Sequence, residues 1–95
     1  MGNNEYVLIF QDPENFVSNP RVFRNAESAK KAMREDAVNF FIDNNIYAIK
    51  DFEDLQKIDD ENLYISDDYI EFDDITSPYS RITYLWRVFE TVQED

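Results

Sequence analysis

The chain has 95 residues, a length that suits one domain and is too short for two. Its 21 acidic and 9 basic residues give a net charge of −12. This charge argues against direct binding to DNA, RNA or anionic membranes, because those ligands need basic patches. Hydrophobic residues make up 43% of the chain and aromatic residues 16%, shares too high for a disordered acidic tail. We therefore expect one folded acidic domain over residues 1–95.

Several residue types that enzymes use are missing from the sequence. There is no Cys and no His, so thiolate nucleophiles, thiolate zinc sites and Ser–His–Asp systems are excluded. The only glycine is Gly2, so no glycine-rich phosphate loop is present. Enzymatic chemistry would have to rest on carboxylates alone, and no catalytic motif is found. We therefore predict a protein that is not an enzyme and has neither a cofactor nor a resident metal ion.

The sequence contains no signal for a membrane or for secretion. Its longest apolar run, residues 6–10, is far shorter than the roughly 20 residues of a membrane helix. Residues 1–5 lack the positive charge with which a secretory signal starts. We therefore expect a soluble cytoplasmic protein.

The first half of the chain predicts two strands and a long helix. Residues 6–10 are rich in β-formers and apolar on both faces, which is typical of an interior strand. Residues 21–24 are expected to form a short strand beside it. Asn25 is a good N-cap for a helix over residues 26–44, and the asparagines at its end provide a stop. The apolar stripe of this helix recurs at helical spacing and consists of Ala29, Met33, Ala37, Phe40 and Phe41.

The middle of the chain predicts short elements. Residues 46–49 form either a strand or a crossing segment. Residues 51–58 form a short helical turn that Asp51 caps. Residues 63–65 and 69–72 are two short strands whose spacing suits a tight hairpin.

The last quarter of the chain predicts a loop at residues 75–80 and a final strand at residues 81–92. Alternation along this strand places Ile82, Tyr84, Trp86 and Val88 on one face and Thr83, Leu85, Arg87 and Phe89 on the other. We expect the first face to be buried in the core, and the second face is half apolar. The elements together predict an α+β fold, in which an antiparallel or mixed sheet of four or five short strands packs on the helix of residues 26–44.

The negative charge is concentrated in residues 51–75, here called the acidic segment. Its single base is Lys57. Its eleven acids are Asp51, Glu53, Asp54, Asp59, Asp60, Glu61, Asp67, Asp68, Glu71, Asp73 and Asp74. Repulsion among them costs folding free energy, and solubility requires no such cluster. The segment is either a solvated face or a surface that binds a basic partner.

In the sharpest functional interpretation, these acids imitate the phosphates of a nucleic acid and contact a basic, nucleic-acid-binding protein. In size and composition the chain resembles the small acidic inhibitors that phages and mobile elements direct against restriction or CRISPR nucleases. The resemblance is general: no family motif is matched, so it carries over neither a partner nor a site residue. Aromatic side chains at the rim would anchor such a contact, and the candidates are Tyr64, Tyr69 and Tyr79.

Other interpretations remain open. The chain is an adaptor or assembly subunit that uses the outer face of residues 81–92, or it forms a homodimer in which the basic start of the long helix meets an acidic face. Alternatively, the acids bind Ca²⁺ or Mg²⁺. In a further alternative, the protein is a hydrolase that uses its carboxylates and a divalent cation. Crowding would raise the pKa of the carboxyl groups, so we expect stability to increase as the pH falls from 7 towards about 5.

Overall fold

The computed structural model describes residues 4–11, 20–77 and 80–92 of the chain. Its elements are β1 (Asn4–Gln11), β2 (Arg21–Phe23), α1 (Ala26–Asp43), α2 (Phe52–Gln56), β3 (Leu63–Ile65), β4 (Tyr69–Ser77) and β5 (Ser80–Val92). The strands form one sheet in the order β2-β1-β5-β4-β3, and every neighbouring pair is antiparallel. The predicted α+β fold is confirmed, with a sheet that is antiparallel rather than mixed.

The strand register divides the side chains of the sheet between two faces, because directly paired residues point to the same side. The covered face, against which the helices pack, carries Tyr6, Leu8, Phe10, Phe23, Leu63, Ile65, Ile70, Phe72, Tyr84, Trp86 and Val88. The open face carries Glu5, Val7, Ile9, Gln11, Val22, Tyr64, Tyr69, Glu71, Asp73, Thr83, Leu85, Arg87, Phe89 and Thr91. The predicted alternation of the last strand is therefore observed from Thr83 to Phe89.

Helix α1 begins where the sequence indicates. The Asn25 side chain accepts a hydrogen bond from the Ser28 backbone N–H at 2.8 Å, which satisfies one of the free donors of the first turn. The helix ends at Asp43, one residue earlier than predicted. Asn45 then adopts φ 55°, a left-handed conformation that asparagine tolerates and that turns the chain back towards the sheet.

The core is aromatic and lies between α1 and the covered face. Phe41 is fully buried, and its ring is tilted against that of Trp86, with 5.8 Å between the ring centroids. Phe40 packs against Trp86 at 5.2 Å and against Tyr84 at 4.6 Å. Phe10 completes the cluster from β1, at 4.9 Å from Trp86. These rings fix α1 across the middle strands of the sheet.

Helix α2 lies beside α1 on the same side of the sheet. Asp51 caps it by accepting a hydrogen bond from the Asp54 backbone N–H at 2.9 Å. Leu55 is its one buried residue and belongs to the same core as Phe72 of β4. Residues 46–49, predicted as a strand or a crossing segment, form no strand and connect the two helices.

The predicted loop at residues 75–80 is wrong at both ends. Strand β4 continues to Ser77 and β5 starts at Ser80, and these two residues pair across the hairpin. The strands extend further than predicted because β4 and β5 pair there, with a register shift between Asp74 and Ser77. Tyr79, a candidate contact residue, lies outside the described residues.

Candidate interaction surface

The first group of acids surrounds α2 and the turn that leads into β3. Asp51 and Asp54 have local structural roles, since the Asp54 carboxylate accepts a hydrogen bond from the Lys50 backbone N–H at 3.2 Å. Glu53 lies 4.0 Å from Lys57 across an exposed helical turn, a pair of little energetic value. Asp59 and Glu61 are exposed, and within the described part of the chain they have neither a hydrogen bond nor an ion pair.

Asp60 belongs to the same turn but is held by neutral donors. Its carboxylate accepts hydrogen bonds from the Asn62 backbone N–H at 2.9 Å and from the Tyr47 hydroxyl at 2.8 Å. These bonds, the Asn62 bond foremost, lower the pKa of Asp60 because they stabilise its charged form. Burial, reinforced by the bond to Asp60, raises the pKa of Tyr47. The turn before β3 is thus fixed to the aromatic core, which Tyr47 joins through Phe41.

The second group lies at the β3–β4 hairpin, where α1 supplies positive charge. Asp67 is 2.5 Å from the Lys30 Nζ and 3.5 Å from an Arg34 guanidinium nitrogen. The hydrogen bond from Lys30 lowers the pKa of Asp67 and the same contact raises the pKa of Lys30. Its neighbour Asp68 accepts a hydrogen bond from the Ser66 hydroxyl at 3.1 Å and makes no ion pair with a described cation.

The third group lies on β4. Glu71 and Asp73 are on the open face, where the Tyr69 hydroxyl donates to Glu71 at 2.5 Å and the Thr83 hydroxyl donates to Asp73 at 2.7 Å. The bond to Glu71 is the main reason that the pKa of Tyr69 rises to about 12. Asp74 follows on β4, paired with Ile82 of β5 in the register.

Two of the candidate aromatic residues meet on the open face beside Glu71. Tyr64 of β3 is directly opposite Glu71 in the register and is 57% exposed. Its ring centroid lies 5.2 Å from that of Tyr69. The structure therefore brings Tyr64, Tyr69 and Glu71 into one contiguous cluster, here called the tyrosine–glutamate cluster.

The acidic segment as a whole occupies one side of the molecule without forming one flat face. Strands β3 and β4 are the last two in the sheet order, and Leu55 of α2 belongs with Phe72 of β4 to the core on the covered side. The acids of α2 and of residues 59–61 lie on that side, whereas Glu71 and Asp73 point the opposite way. The segment thus wraps around the edge strand β3.

Most of the segment's charge is not balanced by nearby cations. Within the described residues, Asp67 is the acid of the segment that the long helix neutralises, through Lys30 and Arg34. Seven others form no ion pair with a described cation; they are Asp51, Asp54, Asp59, Asp60, Glu61, Asp68 and Glu71. The expected effect of crowding on titration is not seen at the two acids whose pKa is shifted, Asp60 and Asp67, because both shifts are downward.

Further cations line a groove between the two helices. A groove of about 510 Å³ between α1 and α2 is lined by Lys31, Arg34 and Lys50 together with Glu35, Asp51 and Phe52. Arg34 reaches across it, with its guanidinium 5.2 Å from the centre of the Phe52 ring. Lys31 and Lys50 make no ion pair within the described part of the chain. Of the three bases that line the groove, Arg34 also reaches Asp67 of the β3–β4 hairpin.

The open face also carries an apolar row that the sequence indicated only in part. Val22, Val7 and Phe89 are directly paired across β2, β1 and β5. Val22 is 58% exposed and Phe89 37%. The half-apolar outer face of the last strand predicted Phe89, but the contribution of β1 and β2 became visible only once the strand order was known.

No three acidic side chains of the described residues lie close enough together to hold a metal ion. Among the described helices, none combines the length and apolarity that crossing a membrane requires. No protein family matches the chain, and neither a curated protein nor a solved structure is similar to it.

Proposed function

We propose that the protein is a non-enzymatic acidic binding protein whose acidic segment contacts a basic protein. The observation that carries the proposal is the placement of the segment around the edge strand β3, with seven acids that no described cation neutralises. A negative surface of this kind attracts a basic partner over several ångströms and speeds its association, and salt weakens the attraction.

The sharper form of the proposal is nucleic-acid mimicry directed at a nucleic-acid-binding defence protein, such as a restriction or CRISPR nuclease. B-form DNA presents one negative charge per about 1.7 Å of its axis, so a basic groove that fits DNA is adapted to closely spaced anions. Carboxylates on α2, on the turn before β3 and on the β3–β4 hairpin place negative charges at several positions near the edge strand β3. A partner of this class would be blocked because the protein occupies the groove in place of DNA.

The test compares two triple variants of equal charge. One replaces acids of the segment by amides (Asp59→Asn, Glu61→Gln, Asp68→Asn), and the matched control replaces exposed acids elsewhere (Glu35→Gln, Asp43→Asn, Glu90→Gln). Binding to a panel of purified restriction and CRISPR nucleases is measured at two salt concentrations. We expect the segment variant to bind at least about tenfold more weakly than the control, since several charge pairs are lost. Equal weakening in both variants would show that net charge alone matters and would refute the assignment.

Competition with duplex DNA separates mimicry from ordinary binding. If the protein occupies the nucleic-acid groove, DNA displaces it and the measured affinity falls as DNA is added. If binding persists unchanged in saturating DNA, the contact lies outside the groove and mimicry is wrong.

A second candidate function, an adaptor or assembly subunit, is favoured by the exposure of Val22 and Phe89 on the open face. For this function the segment variant (Asp59→Asn, Glu61→Gln, Asp68→Asn) still binds the partner, and the double variant Val22→Ser, Phe89→Ser does not. The two candidates therefore predict opposite outcomes for the same pair of variants.

A further inference from the structure

The open face has no helix of the described residues packed on it, since α1 and α2 both belong to the core on the covered face. Its register lays out a two-dimensional pattern. The row Val22–Val7–Phe89 crosses three strands at one corner, with Val22 and Phe89 exposed and Val7 between them buried, and the tyrosine–glutamate cluster lies at the opposite corner on β4 and β3. From Val22 on β2 to Tyr69 on β4 there are three interstrand spacings, which span about 14 Å.

We propose that the tyrosine–glutamate cluster, on the open face beside the edge strand β3, is part of the surface that contacts the basic partner and receives one of its arginine side chains. This inference rests on the proposed function and adds the residues that would bind a positively charged side chain of the partner. Charge complementarity supports it. The described side chains of the face include the acids Glu5, Glu71 and Asp73 and one base, Arg87.

The cluster has the components with which proteins hold a guanidinium group. An arginine stacks on an aromatic face and donates paired hydrogen bonds to a carboxylate. Tyr64 offers an exposed ring, 5.2 Å from the ring of Tyr69. The Tyr69 hydroxyl donates to Glu71 Oε2 and thereby orients the carboxylate next to the rings. Glu71 makes no ion pair with a described cation, so its charge is available to a partner.

Arg87 determines where on the face a partner's cation can bind. It lies on β5 between the two corners, directly opposite Tyr69 on one side and Ile9 on the other, and it is exposed. Its charge repels a second cation from the centre of the face. A partner arginine is therefore directed to the β3 side of the cluster, where Tyr64 is.

The test uses three capped peptides of alternating residues: arginine with leucine, lysine with leucine, and glutamine with leucine. Binding is followed by NMR through the ring resonances of Tyr64 and Tyr69. We expect the arginine peptide to bind about two- to fivefold more tightly than the lysine peptide, because a guanidinium stacks better on the rings. We expect Glu71→Gln and Tyr64→Leu each to remove most of that preference, and Tyr64→Phe to keep it. Glu90→Gln on β5 is the matched control, since Glu90 pairs with Tyr6 and so lies on the covered side.

Each outcome has a defined meaning. If the arginine peptide binds wild type and the Glu71→Gln variant equally well, this inference is wrong while the proposed function stands. If neither cationic peptide binds wild type at low salt more tightly than the glutamine peptide, the proposed function fails as well. If sedimentation equilibrium shows a dimer that Val22→Ser and Phe89→Ser together dissociate, the open face is occupied by a second copy of the chain, and the inference is overturned.

Discussion

Leu55 is predicted to hold the acid-bearing helix α2 in place. It is fully buried and is the one buried residue of a helix only five residues long. A helix of this length is not stable alone, so its position depends on tertiary contact. Leu55→Ala removes that contact, and replacements of this type cost about 2–5 kcal/mol. Because α2 is peripheral and can move inwards to fill part of the cavity, we expect a loss near the lower end, about 2–3 kcal/mol.

Urea unfolding followed by Trp86 fluorescence measures this loss. Trp86 is the only tryptophan of the chain and is 2% exposed, so its emission reports the core. A loss of 2–3 kcal/mol is a large part of the roughly 5–15 kcal/mol typical of a domain, and lowers Tm by about 10–20 °C. Lys57→Ala, at an exposed position beside the same helix, should stay within about 0.5 kcal/mol of wild type. A loss below about 1 kcal/mol for Leu55→Ala would refute the reasoning that Leu55 anchors α2.

Two further predictions concern pH. The pKa values of Asp60 and Asp67 are lowered in the folded state, so their contribution to stability is present above the ordinary pKa near 4 and is lost as the pH falls through the folded values. Urea unfolding between pH 7 and 3 should show the free energy of unfolding decreasing in acid, and Asp67→Asn should flatten that decrease; unchanged steepness would contradict the role of the Lys30 contact. The pKa of Tyr69 is raised to about 12, so its contribution is present below about pH 10 and is lost as the pH rises through 12. Absorbance titration at 295 nm should show two late tyrosines, Tyr47 and Tyr69, and Glu71→Gln should shift only Tyr69 towards 10; no such shift would contradict the Tyr69–Glu71 bond.

The parts of the fold that depend on local chemistry could be predicted from the sequence. Asn25 capped α1 as expected, and the β3–β4 hairpin closed at residues 66–68 with a backbone hydrogen bond from Ser66 to Tyr69. The extent of β4 could not be predicted, because residues 73–77 are extended by pairing with β5 and not by their own preferences. Strand order was equally inaccessible, since it depends on contacts between distant segments.

The candidate site was predictable as a segment but not as a surface. Counting charges found residues 51–75, and the alternation of the last strand indicated that its outer face was half apolar. The sequence did not show that Tyr64, Tyr69 and Glu71 converge, because they lie on two strands and meet only through the register of β3 with β4. Nor did it show that Asp67 is neutralised by Lys30 and Arg34, which are more than 30 positions away.

The structure also changes which acids are the best candidates for the proposed binding surface. Asp51, Asp54 and Asp60 accept hydrogen bonds that build a helix cap and a turn, so the fold itself explains their presence. Asp59 and Glu61 have no such role within the described residues, where they form neither a hydrogen bond nor an ion pair. Acids of this kind are the ones that a fold alone does not require. They lie in the turn before β3, next to the edge around which the rest of the segment wraps, which is where the proposed binding surface would use them.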